Sequence, residues 1–177
     1  RSRGLGDVYK RQAIGYTREP ELVFGFGGTI EYKGFDLSAY FTGAARTSTF
    51  FEDRTFWPFA SGMGFFNVFK EIYDNRWTPE TAGAAKYPVV TDGFNVQSMR
   101  RSTVWQKDAS YLRLKNLEVG YTLPKKVVSK LKINNLRVFV NGTNLYTWDK
   151  INHTIDPESD NWYPIQRAVN FGLAVDF

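Results

Sequence analysis

Cysteine is absent from this chain of 177 residues, and histidine occurs once. Without thiols there is no disulfide framework, no zinc-thiolate site and no cysteine nucleophile. His153 alone cannot form a histidine metal cluster, and there is no H-E-x-x-H pair. A triad would have to join His153 to a serine such as Ser159, which sits in no nucleophile elbow. Carboxylate pairs such as Asp156 with Asp160 can be nominated for glycoside hydrolysis, but nothing in the sequence raises one pKa above the other. The expectation is a protein that is not an enzyme and has no cofactor or metal. A run of about eighteen apolar residues is also missing, which excludes a transmembrane helix. A transmembrane β-strand needs only about ten alternating residues and stays open.

What is present is aromatic: Phe 15, Tyr 10 and Trp 5, with Gly 15. That mixture suits a wide β-sheet whose rings coat large surfaces. The net charge of +5 invites a nucleic-acid reading, but residues 1–20 hold five basic against two acidic groups, which leaves +2 for the rest. The four lysines of the 124–132 turn read as a solvated connection rather than a nucleic-acid patch. Residues 1–12 lack a starting Met and any periodicity, and are expected to be a non-native or disordered tail. Gly4-x-Gly6 precedes no strand-helix unit and is no phosphate loop. No signal peptide is visible, so the chain is either cytoplasmic or lacks its beginning.

Alternation with a period of two organises the remainder. Phe24, Phe26, Gly28, Ile30 and Tyr32 share one face, Lys33-Gly34 makes a two-residue turn, and Phe35, Leu37, Ala39, Phe41 and Gly43 continue on the next strand. Each strand is near eleven residues, about twice the usual length in a soluble protein and enough to cross a bilayer at a tilt. Tyr32 and Phe35 flank the turn where an interfacial aromatic belt would lie. A third strand has Leu117, Val119 and Tyr121 on one face and Leu112 and Leu114 out of phase. That conflict implies a bulge near Lys115-Asn116, or a strand end risen into water. A fourth, LRVFVNGTNLYTW, closes on Tyr146 and Trp148. The last places Val169, Phe171, Leu173, Val175 and Phe177 on one stripe.

The connections are uneven. Pro124 opens a basic turn of one or two helical turns. Residues 46–103 form a long connection in which Phe65, Phe66, Phe69 and Ile72 recur at helical spacing up to Asn75. Arg54, Trp57, Arg76, Trp77, Tyr87, Arg100 and Arg101 give this segment aromatic and guanidinium character, suited to a sugar or peptide ligand or to packing of the loop on itself. Trp162 belongs to the second loop, 149–166. There Asp156-Pro157-Glu158-Ser159-Asp160 reads as a solvated acidic turn, with a calcium site as the less favoured alternative because no distal Glu follows. Asn141-Gly-Thr143 and Asn152-His-Thr154 match a glycosylation sequon by chance.

Four stretches also carry a resemblance: Asp108 to Pro124, Leu136 to Trp148, the Asp156-Pro-Glu158 turn and Asn170 to Phe177. In order and spacing they resemble the C-terminal end of SusC/RagA-type TonB-dependent outer-membrane transporters, over roughly residues 19–177. The resemblance implies an all-β fold in which about five long antiparallel strands (22–32, 35–45, 109–122, 136–148, 167–177) belong to a larger twenty-two-stranded barrel. It puts the turns 33–34 and 123–135 in the periplasm and the loops 46–103 and 149–166 outside the cell. It implies import of oligosaccharides, or peptides, with a SusD-like lipoprotein. Energy would come through the TonB-ExbB-ExbD complex acting on a missing N-terminal part. The implied location is the outer membrane, in contact with the lipid bilayer and with no nucleic-acid partner. Arg54, Trp57, Arg76, Trp77, Tyr87 and Trp162 are its substrate-contact candidates. The stripe Val169, Phe171, Leu173, Val175 and Phe177 would be the signal read by the barrel assembly machinery. The alternatives are a secreted all-β carbohydrate-binding module with Trp57, Trp77 and Trp162 as sugar platforms, and a passive porin.

Overall fold

The structure is a computed structural model that describes residues 13–52, 56–59, 67–92, 95–131, 133–151, 155–158 and 165–177. Among the described residues the strands are β1 Leu22–Tyr32, β2 Phe35–Ala45, β3 Ser48–Phe50, β4 Gln106–Asp108, β5 Tyr111–Thr122, β6 Asn135–Asp149 and β7 Ala168–Asp176. Between them lie the short helices α1 Lys70–Asp74 and α2 Lys125–Val128. None of the described helices is long and apolar enough to cross a membrane. The long strands form one antiparallel sheet in the order β1-β2-β5-β6-β7, and β3 pairs with β4 in a separate ribbon. The chain divides into two units, residues 19–47 with 109–177 (the sheet unit) and residues up to Arg18 with 48–108 (the loop unit).

In the sheet unit the β1–β2 hairpin has the expected bounds and turns through Lys33 (φ 49°) and Gly34 (φ 88°). Positive φ at both central residues is the turn whose twist matches that of its strands. Gly34 is needed twice, because a Cβ there would also meet the Thr122 carbonyl oxygen at 2.8 Å. The expected bulge falls at Lys115. Tyr40 faces Asn116 while Phe41 faces Leu114, so Lys115 is extra on β5. Against β6, Leu114 pairs with Tyr146 and Asn116 with Thr143, which leaves Asn144 and Leu145 opposite Lys115. Asn144 takes φ 53°, a conformation Asn tolerates. The bulge resolves the phase conflict: Phe35, Leu37, Ala39, Phe41 and Gly43 pair with Tyr121, Val119, Leu117, Leu114 and Leu112 in that order. All five therefore share one face, and no strand end leaves the sheet.

The third strand begins at Tyr111 rather than 109, because residues 106–108 pair with β3 instead. Pro124 lies just ahead of α2 as its N-cap, not at its first helical position, and Val128 of that turn is buried.

The loop unit has its own small core. Phe51 stacks on Phe56 at 4.3 Å, and Trp105 is 2% exposed, its indole Nε1 donating to the Ser98 carbonyl oxygen at 2.7 Å. Ile72 of α1 is buried, as the helical spacing implied. The helix begins at Lys70, and Phe65 and Phe66 lie outside the described residues, as do the tail 1–12 and His153.

Candidate functional site

Because side chains alternate across a strand, the pairing separates the sheet into two chemically different faces. On one, the row Phe35, Tyr121, Val138, Leu173 lies beside the row Leu37, Val119, Val140, Phe171. This face is exposed over its whole width, up to 81% for Phe171 on β7. Aromatic rings gather at both ends. Phe35 and Tyr121 are 4.4 Å apart beside the short turn, and Trp148 lies 4.8 Å from Tyr146 and 6.4 Å from Phe41 at the other. A stripe of this extent would be buried against a second sheet in a sandwich. Here it is open, so the fold of a secreted carbohydrate-binding module is not the one observed.

The opposite face is polar and hydrogen-bonded from strand to strand. Arg137 of β6 reaches over β5 to Asp36 of β2, donating from Nε to Oδ1 at 3.0 Å and pairing a second time through Nη2. The same Nη2 donates to Glu118 Oε1 at 2.7 Å. Asn141 donates to Glu118 at 3.4 Å, and Asn170 to Asn141 at 3.0 Å, which carries the ladder to β7. Thr29 and Ser38 extend it to β1 at 3.3 Å. The crossing depends on Gly120, where a Cβ would stand 2.5 Å from Asp36 Oδ1 and closer still to the Arg137 guanidinium. The sequence reading missed this network, since Asp36 and Arg137 are 101 positions apart and only register joins them. Its signal was three charges on the polar parity of three strands, all near the short-turn end.

At the other end, Arg113 of β5 is 1% exposed and holds the 156–158 turn, with Nη2 on Asp156 Oδ1 at 2.5 Å and Nη1 on Glu158 Oε2 at 3.2 Å. Lys115 on the bulge adds a 3.2 Å pair with Glu158. Asp156 is thus paired and largely covered rather than solvated, while Glu158 stays open to solvent. The turn's two described carboxylates are neutralised by cations of β5, and no group of three metal-ligating side chains occurs among the described residues. Asp160 and Ser159 lie outside the described residues.

The substrate-contact candidates fare unequally. Tyr87 is 5% exposed, 5.8 Å from Trp105, and its hydroxyl donates to Glu71 Oε1 at 3.2 Å. Burial and the Glu71 carboxylate push its phenol up to about 12. Arg76, joined to Tyr87 by a bridge, stacks its guanidinium on Tyr73 at 3.7 Å and caps the Tyr73 carbonyl oxygen. Both side chains build the loop unit, and Tyr87 is buried rather than presented outward. Arg101 pairs with Glu52, which raises its pKa further. Trp77 remains 43% exposed, and Trp57 is half-buried. Arg54 and Trp162 lie outside the described residues.

Long antiparallel strands, an apolar face edged by aromatic girdles and a polar face on the other side define the wall of a membrane β-barrel. No family model matches the chain. It is 30% identical over 177 residues to TonB-dependent receptor P26 of Formosa agariphila and 27% identical over 159 residues to TonB-dependent receptor P3 of the same organism, in each case over 89% of its own length. Its fold superposes on the RagAB peptide importer in the closed-closed state with a TM-score of 0.72 and 28% identity, covering 93% of this chain and 18% of that one. The RagAB peptide transporter gives 0.67 at 24%. In sequence and fold the chain is thus a relative of the TonB-dependent receptors of the SusC/RagA type and matches a segment of their barrel. It spans 17% of the length of P26 and 15% of P3.

Proposed function

We propose that this chain forms part of the wall of an outer-membrane TonB-dependent transporter that takes up oligosaccharides or peptides with a SusD-like lipoprotein partner. The observation that carries it is the five-strand sheet with one continuous exposed apolar face and one cross-linked polar face, in a chain related in sequence to TonB-dependent receptors. The apolar face meets lipid and the polar face lines the lumen. Loops 46–103 and 149–166 lie outside the cell and the 33–34 and 123–135 turns in the periplasm. The terminal stripe Val169, Phe171, Leu173, Val175 and Phe177 serves the barrel assembly machinery. Energy arrives through TonB-ExbB-ExbD acting on the rest of the receptor, which performs no chemistry on its cargo. Trp57 and Trp77, with Arg54 and Trp162, are the side chains offered to substrate.

The likeness to a peptide importer at 28% identity favours peptides as the cargo. The test is uptake by cells carrying the full receptor as their sole copy, with labelled oligopeptides and labelled oligosaccharides supplied separately. Uptake of one class, abolished by a protonophore and by loss of the receptor, supports the proposal. Uptake that survives the protonophore sinks it in favour of a passive porin.

A further inference from the structure

We propose that the apolar face carries a binding site for one anionic phospholipid at its short-turn end. The acyl chain would lie in a groove of the sheet and the phosphate among the lysines of the two adjoining turns.

A groove of about 510 Å³, within the range of small-molecule sites, crosses three strands there. Its floor is the backbone at Gly120, Phe139 and Gly172, because the two glycines carry no side chain and the Phe139 ring belongs to the other face, where it covers Gly172. Short valines, Val119, Val138 and Val140, occupy the middle, while larger side chains stand at its ends: the Phe35–Tyr121 ring pair on one side and Phe171 with Leu173 on the other. A β-branched row between aromatic walls leaves a trough where a uniformly Leu or Phe face would leave none. On the lipid side of a barrel such a trough is filled by hydrocarbon.

Charge selects which lipid. The Phe35–Tyr121 wall borders the turns, since Phe35 follows Gly34 and the Thr122 amide donates to the Gly34 carbonyl oxygen at 2.7 Å. Lys33 places its Nζ 5.1 Å from the centroid of the Tyr32 ring, and Tyr32 pairs with Phe35 at the rim of the apolar face; the same lysine also borders the polar-face hollow of Glu31, Asp36 and Arg137. Lys125 and Lys126 stand exposed on α2, directly after β5. None of these three lysines has a carboxylate within ion-pair distance among the described residues, whereas Lys115, Arg113 and Arg137 all do. The acids nearest this end, Glu31, Asp36 and Asp176, alternate onto the polar face with Asp36's partner Arg137. With exposed lysines on both adjoining turns, no acidic side chain on the apolar face among the described residues, and an apolar trough beside them, the site matches an anionic headgroup with its acyl chain.

The proposal rests on the membrane-wall reading, and the experiment separates the two. The full receptor is purified in detergent, checked for the heat-dependent gel mobility of a closed barrel, and loaded with phosphatidylglycerol or phosphatidylcholine. Retained lipid is then read by native mass spectrometry. The wild type should retain phosphatidylglycerol preferentially, and removal of each lysine in K33A, K125A and K126A should lower that retention roughly fivefold. Val138→Phe with Val140→Phe, which fills the trough, should lower retention of both lipids. A closed barrel that holds the two lipids equally, or a triple-lysine variant that holds phosphatidylglycerol like the wild type, overturns the site and leaves the barrel reading intact. Displacement of phosphatidylglycerol by inorganic phosphate alone also overturns it, since the site would then read a free anion. A receptor that yields no closed barrel overturns the membrane-wall reading itself.

Discussion

Arg137 can bridge β2 and β5 only because the residue it passes over has no side chain. Gly120→Val should therefore disrupt the crossing by overpacking rather than by removing a charge, at a cost of about 1–3 kcal/mol. A lowered urea midpoint of the full receptor checks this. The same midpoint in Gly120→Val and wild type would show that Arg137 has another route. Tyr87 makes a different residue-scale prediction in the loop unit. Its phenol donates to Glu71, and its folded pKa of about 12 lies above the ordinary value of 10.0. A raised pKa means the folded form holds its proton more tightly, so this stabilisation is complete below pH 10 and is lost as pH climbs towards 12. Tyrosinate absorbance should include a late-titrating component, and Tyr87→Phe should reduce its amplitude by one phenol.

Among elements, the bulge decides most. Lys115 puts Leu112 and Leu114 on the lipid side and Arg113 on the polar side. Deleting Lys115 leaves Leu114 opposite Phe41 and Asn116 opposite Tyr40, so both halves of β5 keep their faces, whereas inserting one residue between Asn116 and Leu117 shifts the count by one and turns one half over, sending Arg113 towards lipid. A cation near the bilayer midplane costs about 2–4 kcal/mol, falling towards the interfaces. The insertion should abolish the heat-dependent mobility shift, while deletion of Lys115 and Lys115→Ala, which both leave every β5 side chain on its present face, should not. Arg113→Ala is the complementary change. It leaves Asp156 without its buried partner, a loss of about 3–5 kcal/mol for a broken buried pair, and protease cleavage within 150–166 should accelerate. The strands and the bulge were legible because their cause is local: the period of two ran unbroken in β1 and β2 and slipped by one residue in β5. The β3–β4 ribbon was not, since three residues per strand are too few to show a period. The Arg113 clamp was also hidden, because Asp156 and Glu158 look like a solvated turn until pairing shows which cation faces them. Tyr87 looked like an exposed ligand contact for a similar reason. Nothing local distinguishes a ring offered to a sugar from one stacked on Trp105.

At the scale of the molecule, β1 and β7 each have one neighbour in the sheet. Their outer edges carry rows of amide and carbonyl groups, and in hydrocarbon each unmade bond costs several kcal/mol. The 177-residue chain alone should give no heat-modifiable species in detergent, whereas the full receptor should. A compact monomer of the isolated chain in plain buffer would contradict the membrane assignment. The two faces of the sheet also differ in what they ask of a residue. On the apolar face outside the trough, Leu37 or Leu117 meets only hydrocarbon, so any side chain of similar hydropathy serves. On the polar face Asp36, Glu118, Gly120 and Arg137 constrain one another, and a change at one is tolerated only with a change at another. Sequence drift along each strand should therefore alternate between two regimes, free exchange within one class of residue at one position and paired substitution at the next.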